Sequence, residues 1–399
     1  MKVLSAGPRP LAQLLPENLP LLMGAGPVPI PADVARANSL VINHLGSTMN
    51  EIVEGIVQMG RYVFQTDAHV FGISGPSSAG MEMAITALLH PGRSVLVLNL
   101  GTFSQRFSDL ARGVGASVTE LRTEPLSPFT AEQVKSAFSA AHYDVLTIVQ
   151  GETSCGIKNT ELEAIVRVAR SFGALTIVDA ISTLSTMPLE MDAWGIDVVV
   201  TGGQKGLSSI AGVSLVAFSE RAFSYVLNRE APMPHWCLDP RRAHRFWALH
   251  EYHYTAPVTG VLALYEALRL ISEETLPRRF ERHETSSQNF QHCLEVMGLE
   301  LYAPKRCRLN SVLAIKNVSG VSAKSLLAHM RETFNIELSG AFGLDIVRAG
   351  QMGEQARPEN VRRTLEAIGK TYQHFGVKLD VAGALEAFDL RTTFLARVG

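Results

Sequence analysis

Asp197-Val198-Val199-Val200-Thr201-Gly202-Gly203-Gln204-Lys205-Gly206 is the stretch that decides how this chain is read. Its β-branched run predicts a buried strand, and the glycines that follow end the strand in a turn. That turn delivers a primary amine, Lys205, and Leu207-Ser208-Ser209-Ile210-Ala211-Gly212 leads away from it. An amine held this way can lose its water, which lowers its pKa and makes it a nucleophile toward aldehydes. Upstream, Leu175-Thr176-Ile177-Val178-Asp179-Ala180 is a second apolar run that ends in a carboxylate. Taken singly, the two residues read first as a solvated strand-end lysine and a helix-capping aspartate; it is their pairing that favours an enzyme.

Working outward, short apolar runs alternate with helical patterns from about residue 70 to 219. Strands are predicted at Ser94 to Leu100, Ala116 to Leu121, Asp144 to Val149, Leu175 to Ala180, Val198 to Thr201 and Val213 to Phe218. Helices are predicted at Phe103 to Val114, Thr130 to Ala141 and Glu161 to Phe172. Nearly continuous apolar strands separated by amphipathic helices predict an α/β fold with a mostly parallel sheet covered on both faces. Ligands on such sheets bind at the carboxyl ends of the strands, where Thr153, Asp179 and Lys205 all fall. The chain divides into an arm (1–24), a large domain (25–257), connecting helices (258–295) and a small C-terminal α+β domain (296–399). In the last, Val312 to Ile315, Ile336 to Leu338 and Ile346-Val347-Arg348 read as strands, with helices at Ala323 to Phe334 and Pro358 to Gln373.

The 399 residues, 46% hydrophobic and 19% charged, suit a globular chain with a substantial core. A formal net charge of -2 gives no electrostatic reason to expect nucleic acid or an anionic membrane. Cys155, Cys237, Cys293 and Cys307 are scattered without a CxxC pair, which argues against structural zinc and a disulfide framework. No apolar stretch approaches the roughly 20 residues that span a bilayer, and prolines interrupt the N-terminus before a signal-peptide core forms. The expected location is cytoplasmic.

An aldehyde-binding lysine and an acid at a strand end are the pair that pyridoxal 5'-phosphate requires: the lysine forms the Schiff base and the acid keeps the pyridine nitrogen protonated. Ser74-Gly75-Pro76-Ser77-Ser78-Ala79-Gly80-Met81-Glu82 precedes a helical run, Met83 to Leu89. Small residues at a helix start expose N–H groups to an anion such as phosphate, although serines that only cap a helix look the same. A dinucleotide fingerprint is absent here and at Gly113-Val114-Gly115, and so is a Walker A loop. Phe103, opening a helix after a strand, could stack on a flat ring or sit in the core. Arg348 could hold a carboxylate bidentately or make a surface ion pair.

Together these segments resemble a class V aminotransferase of fold type I, of the alanine–glyoxylate/serine–pyruvate branch. The likeness runs from about Leu21 to Gln373. It includes Leu21-Leu22-Met23-Gly24-Ala25-Gly26-Pro27, Tyr62-Val63-Phe64-Gln65-Thr66, Gln150-Gly151-Glu152-Thr153-Ser154, Gly203-Gln204-Lys205, Tyr252-His253-Tyr254-Thr255 and Arg348-Ala349-Gly350-Gln351-Met352-Gly353. The resemblance implies a large domain with a mostly parallel seven-stranded sheet, a smaller C-terminal domain, and a homodimer with the cofactor at the interface. Lys205 would form the Schiff base, Asp179 would pair with the pyridine nitrogen, Phe103 would stack on the ring and Thr153 would contact the ring hydroxyl. Ser77, Ser78, Ala79 and Gln204 would hold the phosphate, with Tyr252 and Thr255 reaching in from the neighbouring chain. Arg348, with the Gly26 backbone nearby, would bind the substrate carboxylate.

The implied reaction moves an amino group from an alanine- or serine-type donor to a 2-oxo acid such as glyoxylate or pyruvate. Ser-x-Ala-Gly-x-Glu spacing in the phosphate loop and Val149-Gln150-Gly151 lean toward the ureidoglycine–glyoxylate branch. Against that, His44 and Tyr252 stand where that branch carries glutamine and asparagine. A lyase or desulfurase on the same fold would want a cysteine in the loop near Arg348, and Gly340 to Gly353 contains none.

Overall fold

The computed structural model describes residues 9–398, so residues 1–8 of the arm and Gly399 lie outside it. The alternating segments build a seven-stranded sheet from β1 (His69–Ser74), β2 (Ser94–Asn99), β3 (Ser117–Arg122), β4 (Val145–Val149), β5 (Leu175–Asp179), β6 (Val198–Gly202) and β7 (Val213–Phe218). Their order is β1-β7-β6-β5-β4-β2-β3. Strand β7 runs antiparallel to both β1 and β6, while the other pairings are parallel. Every residue of β4, β5, β6 and β7 is buried, because helices cover both faces and a continuous Val/Ile/Leu run suits a strand with no wet side. Helix Leu162–Ser171 buries Leu162, Ile165, Val166 and Ala169, the i, i+3, i+4, i+7 stripe of one helical face.

Six strands follow the sequence reading, and β1 is an addition. A glycine in the middle of His69-Val70-Phe71-Gly72-Ile73-Ser74 weakens the local strand signal. The reason for Gly72 is tertiary: a Cβ there would collide with the Trp247 ring.

A second sheet, ordered β8-β10-β9, comprises β8 (Val312–Lys316), β9 (Ser339–Gly340) and β10 (Ile346–Gly350), all antiparallel. Helices Ala323–Phe334, Pro358–His374 and Val381–Val398 accompany it. The run expected as one strand at Ile336 to Leu338 is divided. Ile336–Glu337 pairs in parallel with Leu21–Leu22, which brings the end of the arm onto this unit, and Ser339–Gly340 pairs instead with β10. The apolar interior accordingly falls into two main clusters, one around the large sheet and one joining Met23 to Phe290, Leu294, Ile315, Val347, Ile368 and Tyr372.

Helices Val258–Glu274 and Leu276–Met297 link the two. Where they meet, a buried polar group ties the lysine turn to the second sheet. Arg279 donates to Gly206 O (2.9 Å), Ser208 Oγ (3.1 Å), Ser185 Oγ (3.1 Å) and Glu274 Oε2 (2.8 Å). Arg282 donates to Glu274 and to Gly353 O (2.8 Å). Burial opposes ionisation of Glu274, yet the hydrogen bonds from Arg282 and Arg279 hold its carboxyl down at about 2. His283 donates from Nδ1 to Arg279 O (2.7 Å) and accepts the Gly353 N–H at Nε2 (2.9 Å).

Burial, together with the Arg279 and Arg282 charges, lowers the His283 pKa well below the ordinary 6.5. Below about pH 6.5 the unfolded histidine takes up a proton that the folded one refuses. Stability therefore falls with acidification by up to about 1.4 kcal/mol per pH unit until the folded pKa is reached. The stability margin of the native protein over His283→Gln, measured by urea unfolding, should shrink between pH 6.5 and 5. A margin independent of pH would contradict this account.

Candidate active site

Three strand ends converge on one edge of the sheet. Val149 of β4 lies beside Asp179 of β5, which lies beside Val200 of β6. The chain leaves β6 through Gly202 and Gly203 to Lys205. These glycines, with Gly206, are not at positive φ. They are needed because backbones cross tightly: a Cβ at Gly202 would strike Ser77 Oγ, one at Gly203 the Ile210 carbonyl, and one at Gly206 the Leu184 carbonyl. Lys205 is half-buried, and its Nζ donates to the Ala25 carbonyl. Gly26, at φ +101°, lies against the lysine stem, where any side chain would collide with it.

The electrostatics follow from this placement. Burial, then the Arg348 charge, pull the Lys205 amine down to about 8, with Asp179 working the other way. Asp179 is 6% exposed, and among the described residues its carboxylate accepts one hydrogen bond, from the Ile181 N–H at 2.8 Å. Burial pushes its carboxyl up to about 7; Glu152 adds to the rise, while the Ile181 hydrogen bond, Arg106 and Lys205 oppose it. A buried carboxylate so thinly supported gains from a cationic partner. Asp197, at the opposite end of β6, differs: Thr176, Ser219 and Arg221 all donate to it, a structural arrangement.

The loop expected to hold a phosphate is tighter than the sequence reading allowed. Helix Ser77–Leu88 begins at Ser77 rather than Met83. Pro76 supplies the preset φ before the first turn, and its carbonyl accepts the Ala79 N–H at 2.8 Å. Ser77 and Ser78 therefore present the helix N-terminus, whereas the Ala79 N–H is already engaged. Gln204 Nε2 donates to Ser77 Oγ (2.7 Å), and Gln204 Oε1 is buried with no partner among the described residues. Turning that amide over would aim its NH2 at an anion.

Two residues that sequence reasoning left out hold this edge together. Glu152, fully buried, accepts the N–H groups of Phe103 (3.2 Å) and Ser104 (2.9 Å) and the Ser104 and Ser154 hydroxyls. It thereby caps helix Thr102–Gly113 and fixes where Phe103 starts. The signal was present as a carboxylate just past a strand end, but its partner lies 49 residues away. Arg106 donates to Ser78 Oγ (2.8 Å), with its guanidinium 5.2 Å from the centre of the half-buried Phe103 ring. Its place one turn after Phe103 was the available clue.

Arg348, on β10 and 5% exposed, donates from Nε (2.9 Å) and Nη2 (2.6 Å) to Gly340 O and from Nη1 (3.0 Å) to Thr153 O. It is thus a buried, oriented arginine, not a surface ion-pair partner. Among the described residues three of its five N–H groups are used, leaving one on each terminal nitrogen, the pair a carboxylate needs. Thr153 itself is buried. Tyr252 and Thr255 are not drawn in: both are exposed, and neither side chain is hydrogen-bonded among the described residues.

These residues fit pyridoxal phosphate: an anion cup at a helix N-terminus with an unpartnered amide, an acid short of a cation, and an amine poised near neutrality. Because Arg106 both orients Ser78 and adds positive charge to the cup, Arg106→Met should weaken cofactor binding at least about tenfold. Absorbance titration of the cofactor-free protein, with circular dichroism to verify the fold, measures this. An unchanged dissociation constant would assign Arg106 to bracing alone.

Comparison with known proteins agrees with this geometry. Residues 34–349 match the family model described as aminotransferase class-V. The rat alanine–glyoxylate aminotransferase is 30% identical over 379 residues, covering 92% of this chain and 91% of the relative. The solved alanine–glyoxylate aminotransferase from Nostoc sp. superposes with a TM-score of 0.87 at 31% identity, covering 90% of this chain and 96% of that one. The ureidoglycine–glyoxylate aminotransferase from Bacillus subtilis gives a TM-score of 0.91 at 28% identity, covering 95% and 99%. A fold type I architecture, a pyridoxal phosphate cup and this similarity along nearly the whole length converge: the chain belongs to the class V aminotransferases and is a pyridoxal phosphate-dependent transaminase.

Proposed function

We propose that this transaminase takes the amino group of a small donor of the alanine or serine type and passes it to a 2-oxo acid such as glyoxylate or pyruvate, with Lys205 as the reacting amine. The observation that carries the reading is the pairing of a lysine lowered to about 8 with an aspartate raised to about 7 at adjoining strand ends. When bound, pyridoxal phosphate supplies an aldehyde that takes up the amine and a pyridine ring that accepts the electrons left by the departing Cα proton. Asp179 holds the proton at the ring nitrogen, an ion pair that repays the cost of its burial. Lys205, with a fraction of its amines neutral at pH 7, would be the residue that holds the cofactor's aldehyde carbon and the base that moves the Cα proton.

Ser77, Ser78 and Gln204 would hold the phosphate, Ala79 would line the cup, Phe103 would stack on the ring and Thr153 would contact its hydroxyl. Arg348 takes the substrate carboxylate on its two spare N–H groups, beside the Gly26 backbone. The alanine–glyoxylate and ureidoglycine–glyoxylate relatives favour glyoxylate as acceptor. Cys155, near Arg348, gives no support to a desulfurase reading: burial pushes its thiol up to about 12, far from a reactive thiolate.

The working unit in this reading is a homodimer. Leu40, Val41, Leu45, Trp236, Leu249 and Tyr252 are all exposed apolar or aromatic residues, which supports a second copy covering them. Tyr252 and Thr255 would then reach the neighbour's phosphate cup. Among the described residues no helix is long and apolar enough to cross a membrane. The free, scattered cysteines support a cytoplasmic setting.

Reducing the loaded enzyme with borohydride and mapping the labelled peptide should place the cofactor on Lys205. Lys205→Ala should lose at least about three orders of magnitude in turnover, in keeping with removal of both nucleophile and base. Near-normal transamination by that variant would overturn the assignment. Half-reaction rates with a panel of amino acids should rank alanine and serine above dicarboxylic donors.

A further inference from the structure

Phe342 is a large apolar side chain left 63% exposed. It sits on the turn between β9 and β10, whose root, the Gly340 carbonyl, is gripped by Arg348 Nε and Nη2. Gly343, at φ +71°, lets the turn fold back. The Phe342 ring centre lies 5.6 Å from the Arg348 guanidinium carbon and 6.4 Å from the Phe103 ring, edge-on at 81°. One aromatic side chain thus bridges the arginine assigned to the substrate carboxylate and the aromatic assigned to the cofactor.

We propose that Phe342 determines which amino donors are accepted, forming an apolar wall beside Arg348 that favours small uncharged side chains over those bearing a second carboxylate. This deepens the proposed function and rests on Arg348 holding the α-carboxylate. A ring near a guanidinium does not compete for its N–H groups, so the two spare donors stay available. It does exclude water, which strengthens the ion pair formed there. A methyl or methylene packed on the ring gains apolar burial. A second carboxylate there would meet the negative face of the ring and lose hydration without a cation to replace it. Arg106 has its guanidinium 5.2 Å from the Phe103 ring centre and its Nη1 donating to Ser78 Oγ.

Calorimetric binding of unreactive acids to the cofactor-loaded protein tests this without turnover. In the native protein, affinity should rise about two- to fourfold per methylene from acetate to propionate to butyrate. Butyrate should also bind more tightly than glutarate. Phe342→Ala should flatten the methylene series and narrow the preference for alanine over glutamate in kcat/KM at least about fivefold, a loss on the scale of one desolvated apolar contact. Phe342→Leu, which restores apolar surface, should recover part of both. Unchanged methylene increments and an unchanged alanine-to-glutamate ratio in Phe342→Ala would overturn the proposal. Arg348→Gln separates the two layers. If it abolishes acetate binding while Phe342→Ala keeps every increment, only the role of Phe342 fails. If acetate binds as well as before, the carboxylate assignment fails and this proposal with it.

Discussion

The Nζ of Lys205 donates to the Ala25 carbonyl, and the Gly26 backbone lies along its methylene stem. The amine is thus stripped of water by a segment that comes from the far end of the chain, and much of the site follows from that constraint. Position 26 must lack a side chain. The turn after β6 must be made of glycines, because it threads between Ser77, Ile210 and Leu184. The desolvated amine sits close to a buried carboxylate, Asp179, and feels the charges of Arg348 and Arg106. Burial first, then the two cations, lower the lysine while one acid raises it, and the balance leaves its pKa at about 8, low enough for an amine to act as nucleophile or base.

Holding such a turn requires support from behind. Arg279 supplies it through Gly206 O, Ser208 Oγ and Ser185 Oγ, and Arg282 and His283 continue the contact to Gly353. Gly353 lies three residues after β10, the strand that carries Arg348. Lys205 and Arg348 are therefore braced by one buried polar group, although Lys205 follows a strand of one sheet and Arg348 lies on a strand of another. On the opposite side Glu152 does equivalent work for the helix that starts at Phe103. Both braces place a charge inside the protein, and in both the charge is compensated by several donors or acceptors rather than one, as low-dielectric surroundings demand.

Much of the seven-stranded sheet was legible because its signals are local. Strands β2 to β7 read as apolar runs; β2 to β6 pair in parallel with one another, and β7 closes the sheet antiparallel to β6 and β1. The misreadings mark where local signals give out. Strand β1 contains Gly72, whose justification is the ring of Trp247, 175 positions later in the sequence numbering. The run at Ile336 is split between two partners, one of them the arm at Leu21. The helix at Ser77 was placed late because a Ser/Gly/Pro-rich start looks like a loop until its Pro76–Ala79 hydrogen bond is seen.

The sequence by itself determined the chemistry on offer: an amine after one apolar strand, an acid at the end of another, serines at a helix start, and an arginine on a late strand. Those follow from residue type and short-range pattern, which hydrophobic burial and turn chemistry translate into strands and their ends. Tertiary structure alone decided their titration and their use. The pKa of Lys205 depends on Ala25, Gly26 and Arg348, that of Asp179 on its burial and on Glu152 and Arg106, and the exposure of Phe342 on the turn that Arg348 grips. Desolvation and Coulomb interaction act through space, so no window of sequence contains the partners that set them.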